Sequence, residues 1–374
     1  MTARPRGARR RRPPAARRLA LAAAFAAALA ATAGCGRGRF EPVRGDSTRT
    51  TSPDTFAVLA RDALARWEAG DGESAARATA ALLLADLRAR TRTEPGFAWR
   101  PRAEAFLDSL GVGAEVAADP CAMIVNFFSR SAPDRGSWPW LFTCGAKGID
   151  AQPVEGGGLR LVAVAGRGLH GEPPRPAGAR GVAALYARRG GAGLQPMLFA
   201  WAQKKNGGPW EVVQSLGPDS LGGTGTAEFA PGDTAVTLTA RTYRPTPRFE
   251  ECATCPHVYR VHRFAWSGPG FVRVEERTVP SPYATFVRFA TAVAVGDDEF
   301  ALEQTTGREV LEAARRFQFG ANRGAWRVAP ATDESARFMV FMRGRQEAYR
   351  VTFESLGPDE FRIAAIEPAP PPIE

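Results

Sequence analysis

The sequence predicts a multidomain α+β chain: a short N-terminal helical segment, an antiparallel β sandwich or barrel in the middle, and an α+β unit at the end. Three observations predict it. Apolar residues recur at helical spacing only over about 53–115 and again after 281. Between these stretches, short alternating runs are separated by Gly and Pro turns. Gly 39 and Pro 30 in 374 residues is a turn-rich count that favours short strands over long helices. A chain of 374 residues suggests two or three domains at roughly 100–200 residues each. Apolar residues at 44% and charged residues at 24% exclude wholesale disorder.

The formal charge of +10 belongs mostly to one end. Residues 1–34 hold eight arginines and no acid, which leaves only +2 for the rest, so no net basic field supports nucleic-acid binding by the body. Within these residues the basic run RPRGARRRRPPAARR is followed by the uncharged LALAAAFAAALAATAG from Leu19 to Gly34. That stretch is too short and too weakly apolar to span a bilayer, which takes about 20 apolar residues. It fits a signal peptide over 1–34. The order Thr32-Ala33-Gly34-Cys35 resembles a bacterial lipobox, with Thr32 where Leu is usual. The resemblance implies cleavage before Cys35 and lipid attachment to its sulfur. It also implies an exported protein on the periplasmic side of the cell envelope, with that lipid as its membrane partner. Gly36 after Cys35 points to the outer membrane.

The mature chain then reads in order. Residues 35–52 lack an apolar period and form a tether. Ser52 and Pro53 start a helix bearing Phe56, Leu59, Ala60, Ala63, Leu64 and Trp67, which Gly70 ends. A second helix is expected from about Glu73 to Arg90, and a third from Pro101 to Gly111. The helical segment is bounded at 53–115 and the β domain at 120–280. In the β domain, Val236, Leu238, Ala240 and Thr242 alternate with polar neighbours as in a half-buried strand, and Ser267-Gly268-Pro269-Gly270 turns a hairpin. Ser281-Pro282 opens the next helix and Gly296-Asp297 closes it. Four strands follow, and residues 369–374 are a loose tail.

An exported protein oxidises its thiols. With Cys35 lipidated, four cysteines remain and allow three pairings. Cys121–Cys144 with Cys252–Cys255 is the preferred arrangement, because the first joins a strand that begins at 121 to one that ends at 144. In ECATCPH (251–257), Pro256 stands where a haem-attachment motif has His and disfavours the helix that a redox pair opens. His257 and His262 are five apart, so on one strand they face opposite sides and deny zinc a full ligand set. No metal or cofactor is therefore expected. GRGLHG at 166–171 matches G-x-G-x-x-G, but Glu172-Pro173-Pro174 follows where that motif requires a helix. Trp138 and Trp140 flank Pro139 and offer a stacking platform for a glycan ring, against core packing as the plainer reading.

The phrase PYATFVRFATAVAVGDDEFALEQTTGREV carries a long helix, Gly296-Asp297, a short helix with Phe300 and Leu302, and Thr305-Thr306. Residues 281–368 thereby resemble the nuclear transport factor 2-like superfamily, which implies an α+β cone. The steroid isomerases of that family carry a tyrosine seven residues before the Gly-Asp. Phe289 stands there in this chain and no matching aspartate base is found, so the resemblance implies the fold without that catalysis. The expected function is a non-catalytic binding or scaffolding role in the envelope, toward a small molecule, a glycan or a protein. The rival readings are an exported enzyme (a cone-cavity lyase or isomerase, or a hydrolase) and a metal or redox module at Cys252/Cys255.

Overall fold

The structure is a computed structural model that describes residues 53–93, 98–119, 122–145, 148–166, 169, 181–191, 193–203, 208–230, 236–268, 270–329, 337–344 and 346–371. Among the described residues, seven α-helices and four antiparallel sheets make it mixed α+β, with a sheet-rich middle.

Helices α1 (Pro53–Ala69), α2 (Gly72–Thr93) and α3 (Trp99–Ser109) come first. A hairpin clasp joins α1 to α2, where the Trp67 indole donates to Thr79 Oγ1 at 3.1 Å. All three helices lie on the first sheet, β1 (Gly113–Asp119), β2 (Ala122–Phe128), β3 (Ser137–Gly145) and β4 (Gly148–Pro153). Leu83, Leu87 and Phe106 meet Met123, Val125, Phe127 and Phe142 in one core. The helices therefore share their core with a sheet that begins at Gly113, inside the stretch read as helical.

Strand β2 is buried on both faces, and alternation explains how. Met123, Val125 and Phe127 point to the helices, while Ile124 joins Leu141, Tyr186 and Trp201 on the other side. That second core belongs to the sheet of β5 (Arg160–Ala165), β6 (Gly181–Gly190), β7 (Gly193–Gln203) and β8 (Trp210–Leu216). Strand β6 repeats the device. Val182, Ala184 and Tyr186 face the first sheet, whereas Ala183 and Leu185 pack with Leu238, Ala240, Phe264 and Trp266 of a third sheet. The third sheet contains β9 (Thr224–Ala230), β10 (Thr237–Tyr243), β11 (Arg260–Trp266) and β12 (Phe271–Thr278), and a one-turn helix α4 (Pro218–Leu221) leads into it. Three sheets thus stack on the helical layer, and each is a meander whose neighbouring strands are consecutive in the chain.

The last part carries α5 (Pro282–Val295), α6 (Asp298–Glu303) and α7 (Arg308–Arg316), then β13 (Trp326–Val328), β14 (Phe338–Arg343), β15 (Glu347–Gly357) and β16 (Glu360–Ala369). Helix α5 has both its caps: Ser281 Oγ accepts from Ala284 N at 3.1 Å, Pro282 fills the first turn, and Gly296 closes it at φ +78°. Phe286 and Phe289 on this helix are fully buried among Phe319, Trp326 and Phe341. Each such burial contributes about 2–3 kcal/mol. Arg343 is buried with them. It donates to the carbonyls of Phe317 (2.8 Å) and Gln318 (2.6 Å), just past the C-terminus of α7, and to Glu347 Oε2 (2.7 Å). The interior beneath α5 is accordingly filled by aromatic rings and a paired guanidinium. Burial alone would raise the Glu347 carboxyl, but the hydrogen bonds from Arg343 and Arg323 outweigh it and hold that group below its usual range.

One seam ties this part to the third sheet. Trp326 N donates to Arg248 O and Glu250 N to Trp326 O, both at 2.7 Å, and Phe249 between them is buried against Phe286 and Tyr283.

Candidate functional site

A pocket of about 620 Å³ opens between the third sheet and α5. Its construction begins at Gly222, which follows α4 at φ +94°. Thr242 on β10 holds α4 in place by donating its hydroxyl to Leu221 O at 2.8 Å. A Cβ on Gly222 would fall 2.2 Å from His262 Nε2, so only glycine allows this approach. His262 lies on β11, opposite Ala240 on β10 and Glu276 on β12.

The imidazole is 3% exposed, and neither ring nitrogen has a hydrogen-bond partner among the described residues. Its Nδ1 is 3.7 Å from Glu276 Oε2, beyond hydrogen-bond reach. Burial pushes the His262 pKa down; Glu276 opposes this, and Arg273, Arg260 and Arg244 add to it. Burial thus favours the neutral ring. Glu276 is already engaged, accepting from Arg260 at 3.0 Å and from Arg273 at 2.9 Å. Arg244 donates to the Asp219 carbonyl at 2.6 Å. The facing wall is α5, with Val287, Arg288, Thr291, Ala292 and Val295, and Phe300 of α6. Arg288 has no hydrogen bond or ion pair among the described residues.

The sequence named different residues. Cys252 and Cys255 are joined as a disulfide in the loop before β11. The loop is fastened to α5 by a buried carboxylate, since Glu251 accepts from the Tyr283 hydroxyl at 2.9 Å and pairs with His257 Nδ1 at 3.2 Å. Tyr243 stacks on the His257 ring at 3.5 Å. His257 precedes β11, which starts at Arg260, so the two histidines do not share a strand as the spacing argument assumed. Among the described residues no group of three His, Cys, Asp or Glu side chains is arranged to hold a metal.

Cys144 sits on β3 next to Thr143, whose partner is Ala122. Cys121 and Cys35 lie outside the described residues. Trp140 is buried under the helices, and Trp138 packs on Trp67 and over the start of α2, where a Cβ at Gly72 would meet its ring at 1.9 Å. Both indoles therefore belong to the core between the helices and the first sheet. In the glycine-rich match, Gly166 N donates to Asp119 Oδ2 at 2.7 Å and Leu169 is buried in the core between the second and third sheets. The remaining residues of that motif lie outside the described residues.

Sequence reasoning passed over Glu276, Arg244, Arg260, Arg273 and Arg288, and weighed His262 only as a zinc ligand. The available signal was the alternation of His262, Phe264 and Trp266 in RVHRFAW, which places the imidazole on the same strand face as two aromatic rings. Comparison of the chain with family models, with curated proteins and with solved structures gives no match.

Proposed function

We propose that this is an exported, envelope-anchored lipoprotein with a non-catalytic binding role, and that the pocket between the third sheet and α5 is where it binds. The observation that carries the reading is His262: a buried imidazole on the wall of a cavity of about 620 Å³, its Nδ1 without a hydrogen-bond partner among the described residues, is a polar demand for a ligand to meet. The charged side chains around it mostly hold one another, which suits recognition better than proton transfer. The anchor rests on the order of basic run, uncharged stretch and Thr-Ala-Gly-Cys at 1–35. No helix among the described residues is long and apolar enough to cross a membrane.

Residues 281–368 are read as a nuclear transport factor 2-like unit. The order of three helices then a four-stranded antiparallel sheet supports it, and the aromatic filling beneath α5 moves ligand binding out of the cone interior. The helical segment and the first sheet are read as one unit, since they share a core.

Thermal unfolding of the mature chain against a library of small molecules tests the binding role. Stabilisation is expected for some compounds and should disappear in Thr291→Trp, which fills the pocket from α5. A library that yields no stabiliser, or stabilisation untouched by Thr291→Trp, overturns the assignment.

A further inference from the structure

We infer that the pocket takes an amphipathic anion, a small molecule with an acidic group and an apolar body. The inference rests on the binding role proposed above and names its ligand class. Its first support is the charge of the sheet wall. Arg244, Arg260 and Arg273 meet one carboxylate there, that of Glu276, and Glu276 is already shared by two of them at 3.0 and 2.9 Å. Arg288 adds a cation from α5 with no partner among the described residues. Two further acids line the site, so four arginines face three carboxylates and the lining keeps one net positive charge. Asp297 turns its Oδ1 to Phe300 N at 3.1 Å as a helix cap, and Asp219 is exposed to solvent, with its backbone carbonyl already accepting from Arg244. Guanidinium groups suit planar acids because each presents paired N–H donors.

The second support is independent of charge. His262 lines the sheet wall of the pocket as a buried side chain, with neither ring nitrogen hydrogen-bonded among the described residues. The third is the opposite wall. Val295 and Phe300 are 74% and 40% exposed at the edge of a pocket that also carries Val287 and Ala292. An acid alone would leave that apolar surface wet, whereas an apolar body attached to the acid covers it.

The test uses two fluorescent probes that differ by one group. 1-Anilinonaphthalene-8-sulfonate carries a sulfonate, and N-phenyl-1-naphthylamine has the same rings without it. With the folded mature chain, the sulfonate is expected to bind saturably at one site and at least about tenfold tighter than the neutral probe, as charge-assisted hydrogen bonds imply. Its affinity should drop about tenfold in Arg288→Glu, fall with added salt, and stay unchanged in Arg308→Glu, an exposed arginine away from the pocket. Far-ultraviolet circular dichroism checks that each variant is folded. Equal affinity for both probes, lost in Thr291→Trp, would keep the binding role and overturn the anion requirement. Sulfonate binding that neither Arg288→Glu nor Thr291→Trp alters would overturn the site. Saturable binding of neither probe would overturn the binding role itself.

Discussion

Gly222→Ala isolates the contact on which the pocket floor is built. Two penalties act at once. Gly222 is left-handed, at φ +94° and ψ 5°, and an L side chain there costs roughly 1–2 kcal/mol. The new Cβ would also meet His262 Nε2 at 2.2 Å and Thr242 Oγ1 at 2.4 Å. Neither can swing away, because both residues are buried and Thr242 holds Leu221 O. Overpacking of this kind costs about 1–3 kcal/mol. The expected total is about 2–5 kcal/mol, read as a fall in the urea midpoint at unchanged slope. The decisive measurement is the double-mutant cycle with His262→Ala. Removing the ring relieves its share of the clash, so Gly222→Ala should cost about 1–2 kcal/mol less in that background. Additive losses would refute the claim that glycine is required by the imidazole, and a loss below about 1 kcal/mol would refute the backbone argument as well.

Further outcomes follow from the same geometry. The folded His262 pKa is lowered, so the neutral ring is favoured by folding. Its contribution is full above the unfolded value near 6.5 and is lost as pH falls below it. Stability of the wild type should therefore fall more than that of His262→Leu between pH 7.5 and pH 5, by urea titration at each pH. Phe289→Ala is expected to cost about 3–5 kcal/mol, because the ring is fully buried against Phe319, and Phe289→Tyr should create no isomerase turnover in an enol-isomerisation assay. Changing both Cys252 and Cys255 to Ser should cost no more than about 2 kcal/mol, given so short a loop, and intact-mass analysis of the non-reduced wild type should find no free thiol at either position. Cys35→Ser should abolish palmitate labelling and release the protein from membranes; labelling that persists would refute acylation at that sulfur.

The elements were more legible in the sequence than the site. Helix α5 carries its own start and stop, Ser281-Pro282 and Gly296, and β10 shows its inward face in the alternation from Val236 to Thr242. Such signals are local, and local sequence carries them. The pocket is not local. His262 and Glu276 meet through strand pairing, while Arg288 and Phe300 arrive from helices assigned to another domain across a boundary at 280/281. No spacing rule spans that distance, and dividing the chain there cut the site in half. Trp138 and Trp140 show how two readings of one pair of residues compete. Two nearby indoles look like a recognition surface until the layer that covers them is known, and the helices of 53–109 supply that layer.

The meander order of the sheets bears on how the chain acquires its structure. Each four-stranded unit closes by pairing strands that are neighbours in sequence, so most of its ordering entropy is regained by short-range contacts. A chain that folds from its N-terminus can then complete one sheet before the next is ordered, exposing few strand edges at a time. The seam between Phe249 and Trp326 is different, because its two sides are separated by the whole of β11, β12 and the three helices α5–α7. It is the step expected to close last, and with it the pocket wall formed by α5. In pulse-labelled hydrogen exchange, the amides of Glu250 and Trp326 should gain protection after those of β2 and β6.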